Sequence, residues 1–225
     1  MKVDVEGLHH DYTGAGEKWS VRDVSFSIAP GEVFGFLGPS GAGKSTVQNI
    51  MTGLLELQKG TVDYDGVSIR SMKADFFDKV GVSFENPNVF SKLTALENLR
   101  YYAGLFSVPT EDPKALLELV GLGEHIHKRA GKFSKGMRQR LVFARSLINR
   151  PEVLFLDEPH SGLDPGTSAK IKGVIRGQQE RGATIFLTTH DMLVADELCD
   201  RLAFLNEGQI VALDHRRDVA EERVE

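Results

Sequence analysis

A short apolar run, Val33–Leu37, breaks into Gly38-Pro39-Ser40-Gly41-Ala42-Gly43 and continues as Lys44-Ser45-Thr46, the start of a helical pattern. The spacing is G-x-x-x-x-G-K-S, with a buried strand before it and a helix after it. Such glycines let successive backbone N–H groups turn inward towards a chain of phosphates, and the helix N-terminus adds positive potential there. Lys44 would reach the β- and γ-phosphates, and the Ser45 hydroxyl would ligate Mg²⁺. Lys44 is expected to face solvent when no phosphate is bound. An ordinary glycine-rich turn does not require Lys-Ser at this offset, so the stretch reads as a nucleotide phosphate site.

Chemistry at such a site needs an acid on a second strand. Asp157 ends the apolar run Val153–Leu156 and is placed to hold Mg²⁺ through its water shell. Glu158, one residue further, can accept a proton from water attacking the γ-phosphate. A third apolar run, Thr184–Thr188, leads to Thr189-His190-Asp191. At the carboxyl edge of a parallel sheet, where ligands bind, His190 could donate to a γ-phosphate oxygen as charge develops on it.

The elements that must position these residues alternate between strand and helix. Val24, Phe26 and Ile28 alternate with serines, and Pro30-Gly31 turns the chain into the strand before the loop. Gly60 to Ile69 reads as a hairpin turning on Asp65-Gly66, and Val80–Phe84 as a strand ending at Glu85-Asn86-Pro87-Asn88. Thr94 with Glu97 is a capping box opening a helix towards Phe106. Pro113 opens another, ended by Gly121, and Ser134 caps a third carrying Leu141, Val142, Leu147 and Ile148 on one side. Asp164-Pro165 starts a helix closed near Gly182, and a further helix follows Asp191. Leu202–Leu205, a Glu207-Gly208 turn and Gln209–Leu213 complete the pattern. The expected fold is α/β: a nucleotide-binding core with a parallel central sheet (1–85 and 132–225), an N-terminal antiparallel β subdomain, and an inserted helical subdomain (86–131). The charged stretch from Asp214 to Glu225 is expected to be a solvated end.

The 225 residues carry a formal charge of −5, which argues against a nucleic-acid partner, since such proteins need a basic face. One cysteine, Cys199, excludes an internal disulfide framework and fits a reducing compartment. MKVDVEGLHH lacks the apolar centre of a signal peptide, and no stretch approaches the ~18 apolar residues of a membrane span. A soluble, cytosolic chain is expected.

Phe133-Ser134-Lys135-Gly136-Met137-Arg138-Gln139-Arg140 resembles the signature motif of the ATP-binding-cassette ATPases, and it lies upstream of Leu156-Asp157-Glu158-Pro159 as it does there. Ser161-Gly162-Leu163-Asp164 matches that family's D-loop, His190 its switch histidine, and Tyr12 the aromatic residue that stacks on adenine. Order and spacing agree from Tyr12 to about Leu213. The resemblance implies an ATP-hydrolysing, Mg²⁺-dependent subunit of a transporter, docked at the cytoplasmic face of the membrane on a separate multi-span permease. It also implies a head-to-tail pair of cassettes, identical or not, in which Ser134 and the backbone of Gly136 meet the γ-phosphate on the partner's loop. The helical lobe and the loop around Glu85 would face the membrane subunit. The stretch Ser134–Arg145 resembles cassettes paired with ABC-2-type export permeases.

Several positions depart from the family pattern. Glu85 stands where Gln is usual and would be a metal ligand, Lys135 and Met137 replace Gly and Gln of the signature, and His160, where Thr is common, reads as a spacer. Trp19 rivals Tyr12 as the aromatic residue before the loop. Three other functions stay open, the least favoured being a P-loop kinase, which would not explain Ser134–Met137. A soluble ABC ATPase acting on ribosomes or DNA is disfavoured by acidity and by the lack of a second cassette. A non-hydrolysing ATP clamp is disfavoured by intact Lys44, Asp157, Glu158 and His190.

Overall fold

The structure is a computed structural model that describes residues 1–215 except Ala15 and Glu17. Its first elements are β1 (Val3–His10), β2 (Val21–Ile28), β3 (Val33–Leu37), α1 (Lys44–Met51), β4 (Lys59–Tyr64) and β5 (Val67–Ser68). Then come α2 (Ala74–Phe77), β6 (Val80–Ser83), α3 (Ala95–Ala103), α4 (Pro113–Leu119), α5 (Lys135–Ser146), β7 (Val153–Asp157) and α6 (Pro165–Glu180). The last are β8 (Thr184–Thr189), α7 (Met192–Leu198), β9 (Arg201–Asn206) and β10 (Gln209–His215). The chain forms two compact units, Met1–Met72 with the segment from Thr184 onward, and Lys73–Ala183.

In the first unit β2-β1-β4-β5 form an antiparallel sheet. Its β4–β5 hairpin turns on Asp65 and Gly66, both at positive φ, as the Asp-Gly dipeptide predicts. In a second sheet β3 lies between β8 and β9, parallel to both, and β10 pairs antiparallel with β9. All five residues of β3 and all six of β8 are buried, the pattern of strands covered on both faces. Phe26 of β2 stacks on Phe34 of β3 at 5.0 Å, and Phe36 meets Phe186 of β8 edge-on at 5.0 Å, so aromatic packing binds the two sheets into one core.

The second unit is built on the parallel pair β6–β7. Gly81 of β6 lies so close to α5 that a Cβ there would overlap the Ser146 carbonyl, which brings sheet and helix together backbone to backbone. Leu141, Val142, Leu147 and Ile148 are buried as expected, with Leu96 and Leu99 of α3 and Leu116 and Leu117 of α4. The Thr94–Glu97 capping box is formed in full. Its helix stops at Ala103, short of Phe106, with Gly104 as C-cap. Strand β10 extends to His215, so the stretch expected to be a solvated end from Asp214 begins inside a paired strand. Residues 216–225 lie outside the described residues.

Candidate functional site

Strand β3 hands the chain to the glycine loop at its carboxyl end. Gly41 and Gly43 adopt φ of 82° and 104°, the left-handed region that side chains disfavour. A Cβ on Gly38 would overlap the Leu205 carbonyl, and one on Gly43 would lie 2.8 Å from the Ser20 carbonyl. Glycine is thus required where β9 and the start of β2 wall the loop. Pro39, Ser40 and Gly41 form its exposed rim, while Ala42 is buried and accepts from the Gly208 amide at 3.0 Å. Helix α1 starts from Gly43 with no side-chain cap. Ser45, in its first turn, is exposed.

Lys44 is not solvent-facing. It is buried, and its Nζ donates to the Gly38 carbonyl at 2.6 Å and the Pro39 carbonyl at 3.0 Å. A cation drawn back over its own loop partners the Gly38 carbonyl and shares the Pro39 carbonyl with the Ala42 amide, which donates to it at 3.2 Å. Strand β8 pairs with β3 so that Thr189 lies opposite Leu37. His190 and Gly38 therefore leave the sheet side by side, and His190 is exposed at that edge. Tyr12 completes this unit's set: it is 62% exposed, and its hydroxyl lies 3.0 Å from Thr46 Oγ1 on α1. Trp19, the rival, is half-buried, with His9 edge-on to it at 5.3 Å and the Lys59 ammonium 4.6 Å from its ring.

The second unit carries the acids. Ser83 pairs with Leu156, so Glu85 and Glu158 each leave their strand two residues beyond that pair. Asp157 and Glu158 are buried, whereas Glu85 is exposed. Glu158 sits at φ 48°, and its carbonyl accepts from the Ser161 amide at 3.0 Å, closing a turn through Pro159 and His160. That turn places His160 Nε2 3.9 Å from Glu158 Oε2, so His160 packs beside the acid rather than serving only as a spacer. Ser134 is exposed and caps α5, its Oγ accepting from the Met137 amide at 3.2 Å. A Cβ on Gly136 would lie 3.2 Å from Leu163 Cδ2, and the Lys135 stem runs over Gly162, so the signature stretch packs on the 161–164 segment. Asp164 caps α6, and its carboxyl is held below the usual carboxylate range by the Thr167 hydroxyl and then the Thr167 amide.

These residues fit a nucleoside triphosphate: a glycine cradle that a Cβ would fill, a lysine at its base and an uncapped helix start. Among the described residues no group of three or more His, Cys, Asp or Glu side chains could hold a metal ion. Mg²⁺ is commonly held by one or two protein oxygens together with substrate phosphates. In the first unit Ser45 carries such an oxygen, and in the second Asp157 and Glu85 do. The motif reading missed Asp11 and Gln58, which fasten the chain beside Tyr12. The Asp-x-Thr sequence at 11–13 was the one local signal, and Gln58 had none.

Comparison with known proteins follows the same residues. A model of the family described as "ABC transporter" matches residues 21–161. The chain is 53% identical over 212 residues to a fluoroquinolones export ATP-binding protein of Mycobacterium tuberculosis, covering 94% of this chain and 70% of that one. It is 37% identical over 232 residues to Nod factor export ATP-binding protein I of Rhizobium johnstonii, covering 100% and 72%. A dimeric post-hydrolysis structure of an ATP-binding cassette bound to ADP and Pi superposes with a TM-score of 0.87 at 27% identity, covering 96% of this chain and 99% of that one. The structure of an ATP-binding subunit of an ABC transporter gives 0.85 at 26%, covering 99% and 93%. The glycine loop, the strand-end acids and the ordered motifs have the same explanation as these likenesses: the chain belongs to the ABC transporter family, as an ATP-binding, ATP-hydrolysing subunit.

Proposed function

We propose that this subunit powers export of small drug-like molecules through a separate multi-span permease, at the cytoplasmic face of the cell membrane. Among the described residues no helix is long and apolar enough to cross a membrane. The direction rests on the 53% identity to a fluoroquinolones export protein, and the cargo class we propose is the same. The site rests on one observation above all: the glycine loop and His190 leave adjacent parallel strands at the same edge.

In this reading Tyr12 stacks on adenine, and the amides of Gly38, Ser40, Gly41, Ala42, Gly43 and Thr46 cradle the phosphates, with Pro39 shaping the loop between them without a donor of its own. Lys44 swings from its own carbonyls to the β- and γ-phosphates. Ser45, Asp157 and Glu85 hold Mg²⁺, which supplies charge neutralisation on the phosphates. Glu158 takes a proton from the attacking water as its oxygen bonds to the γ-phosphorus and the bond to the bridging oxygen breaks, releasing ADP. His190 donates to a γ-phosphate oxygen. Two cassettes pair head to tail, so Ser134 and Gly136 of one reach the nucleotide of the other; the Ser134 hydroxyl accepts from Met137 yet keeps its own proton to donate. Residues 1–85 and 132–225 act as the nucleotide-binding core, and 86–131 as the helical lobe facing the permease.

The test is reconstitution with the permease in vesicles. ATP-dependent movement of a fluoroquinolone out of the nucleotide-accessible compartment, absent with Glu158→Gln, is the expected result. Turnover by the chain with no membrane protein co-purifying would favour the soluble-ATPase rival. Movement in the opposite direction would overturn export.

A further inference from the structure

The short loop carrying Tyr12 is tied down by an arrangement that neither the phosphate grip nor the hydrolytic acids require. Asp11 is a buried carboxylate, 1% exposed. Its Oδ1 accepts from the Thr13 amide at 2.8 Å, its two oxygens share the Thr13 hydroxyl, and its Oδ2 accepts from the Gly16 amide at 2.8 Å. One carboxylate thus gathers the amides of the chain that follows it, as an Asx turn does but over a longer reach.

A second clamp comes from outside the loop. The carboxamide of Gln58, just before β4, grips residue 11 by its backbone: the Asp11 amide donates to Gln58 Oε1 at 2.8 Å, and Gln58 Nε2 donates to the Asp11 carbonyl at 2.9 Å. Between these clamps stands Tyr12, edge-on to His10 at 4.8 Å with its hydroxyl on Thr46 of α1. A ring that is 62% exposed would ordinarily sample several rotamers, and each rotamer lost on binding weakens the complex. Here backbone, ring edge and hydroxyl are each held before any ligand arrives.

We propose that Asp11 and Gln58 are positioning residues for nucleotide-base recognition: they hold Tyr12 in place as a preformed platform for the adenine ring. The proposal rests on the reading of Tyr12 as that platform. Neither side chain touches the nucleotide; both act through the backbone on which Tyr12 is mounted. Base stacking on an aromatic ring is sequence-tolerant, so the platform contributes affinity for any nucleobase and none for a bare phosphate chain.

The experiment compares ATP with inorganic tripolyphosphate, which shares the phosphates and lacks the base. Both are titrated into the wild type, Tyr12→Ala, Asp11→Asn, Gln58→Ala and the double variant Gln58→Ala with Tyr12→Ala. Trp19 is the single tryptophan and lies near the end of the same loop, so its fluorescence follows binding. Asp11→Asn and Gln58→Ala should each raise Kd for ATP about threefold to tenfold. Both should leave Kd for tripolyphosphate and kcat at saturating ATP unchanged. In the double variant the Gln58 change should add nothing to Tyr12→Ala, since a mounting has no effect once the ring is gone. Equal weakening of ATP and tripolyphosphate would reveal a general structural role and overturn the proposal. So would full ATP affinity in both variants while Tyr12→Ala weakens it, or additive effects in the double variant. If Tyr12→Ala itself leaves ATP binding intact, the platform reading fails first and this inference fails with it.

Discussion

Two loops in this protein leave five-residue strands that are buried throughout and enter helices, yet they treat the helix end in opposite ways. After β3, Gly38–Gly43 curls through positive φ and delivers α1 without a side-chain cap. After β7, the chain turns through Glu158–Ser161 and delivers α6 with Asp164 on the Thr167 amide at 3.0 Å and hydroxyl at 2.7 Å. Helices α3, α4, α5 and α7 are likewise capped, by Thr94, Asp112, Ser134 and Asp191. A cap satisfies amides that a ligand anion would otherwise take, and a carboxylate there would repel phosphate. Glycine leaves the start of α1 without a side-chain cap, whereas the loop after β7 carries the buried carboxylate of Glu158 and ends in the Asp164 cap.

The proposed function gives grip to the first loop and chemistry to the second, and Glu158→Gln tests that division most severely. The amide keeps the shape but cannot take the proton, so kcat should fall by about 10² to 10⁴ with ATP affinity retained. Phosphate release in single turnover, beside an ATP titration, measures both; a variant that loses binding as well would break the division.

Lys44→Ala should cost both functions. Loss of a cation at the developing γ-phosphate charge is expected to reduce kcat/KM by about 10² to 10³. Because Lys44 also satisfies two loop carbonyls, the variant should lose ~1 kcal/mol of stability as well, readable by urea unfolding. Unchanged stability would mean those carbonyls find water when the ammonium is gone.

Two glycine replacements sharpen the picture of the open loop. Gly38→Ala drives a methyl into the Leu205 carbonyl and should abolish ATP binding by displacing the end of β3. A Cβ on Gly41 meets nothing within 4 Å, so Gly41→Ala carries only the left-handed backbone penalty, ~1–2 kcal/mol. Equal losses in calorimetric titration would show that the wall of β9 does not shape the cradle.

The smallest effect belongs to the closed loop. Asp164 is held below its ordinary 3.8 by Thr167. A carboxyl depressed on folding contributes stability above its unfolded pKa and loses it as pH falls through the folded value. The α6 cap should therefore persist at pH 4 and fail only below 3.8, and Thr167→Val should shift the Asp164 titration up towards that value. Carboxyl NMR titration reads this directly; identical curves would mean the hydroxyl does not support the cap.

Much of this arrangement was legible without coordinates. The apolar runs before Gly38, Asp157 and His190 marked buried parallel strands, and Thr94, Ser134 and Asp164 announced their helices, because periodicity and capping depend on neighbours within a turn or two. The hairpin at Asp65-Gly66 followed from the dipeptide alone. The missed features all depend on segments distant in sequence or on the particular rotamer that packing selects. Lys44 looked solvent-facing because nothing in the motif shows that its ammonium can fold onto its own carbonyls. His160 read as a spacer because only the turn through Pro159 sets its imidazole beside Glu158.

The residues alone determined which side chains could bind phosphate and which could take a proton, since those roles follow from chemical type at a fixed local spacing. Only the tertiary structure decided that Leu205 walls the glycine loop, that His190 emerges beside Gly38, and that Gln58 grips Asp11. Strand order and the meeting of remote loops are set by how the whole core packs, and no local pattern encodes them.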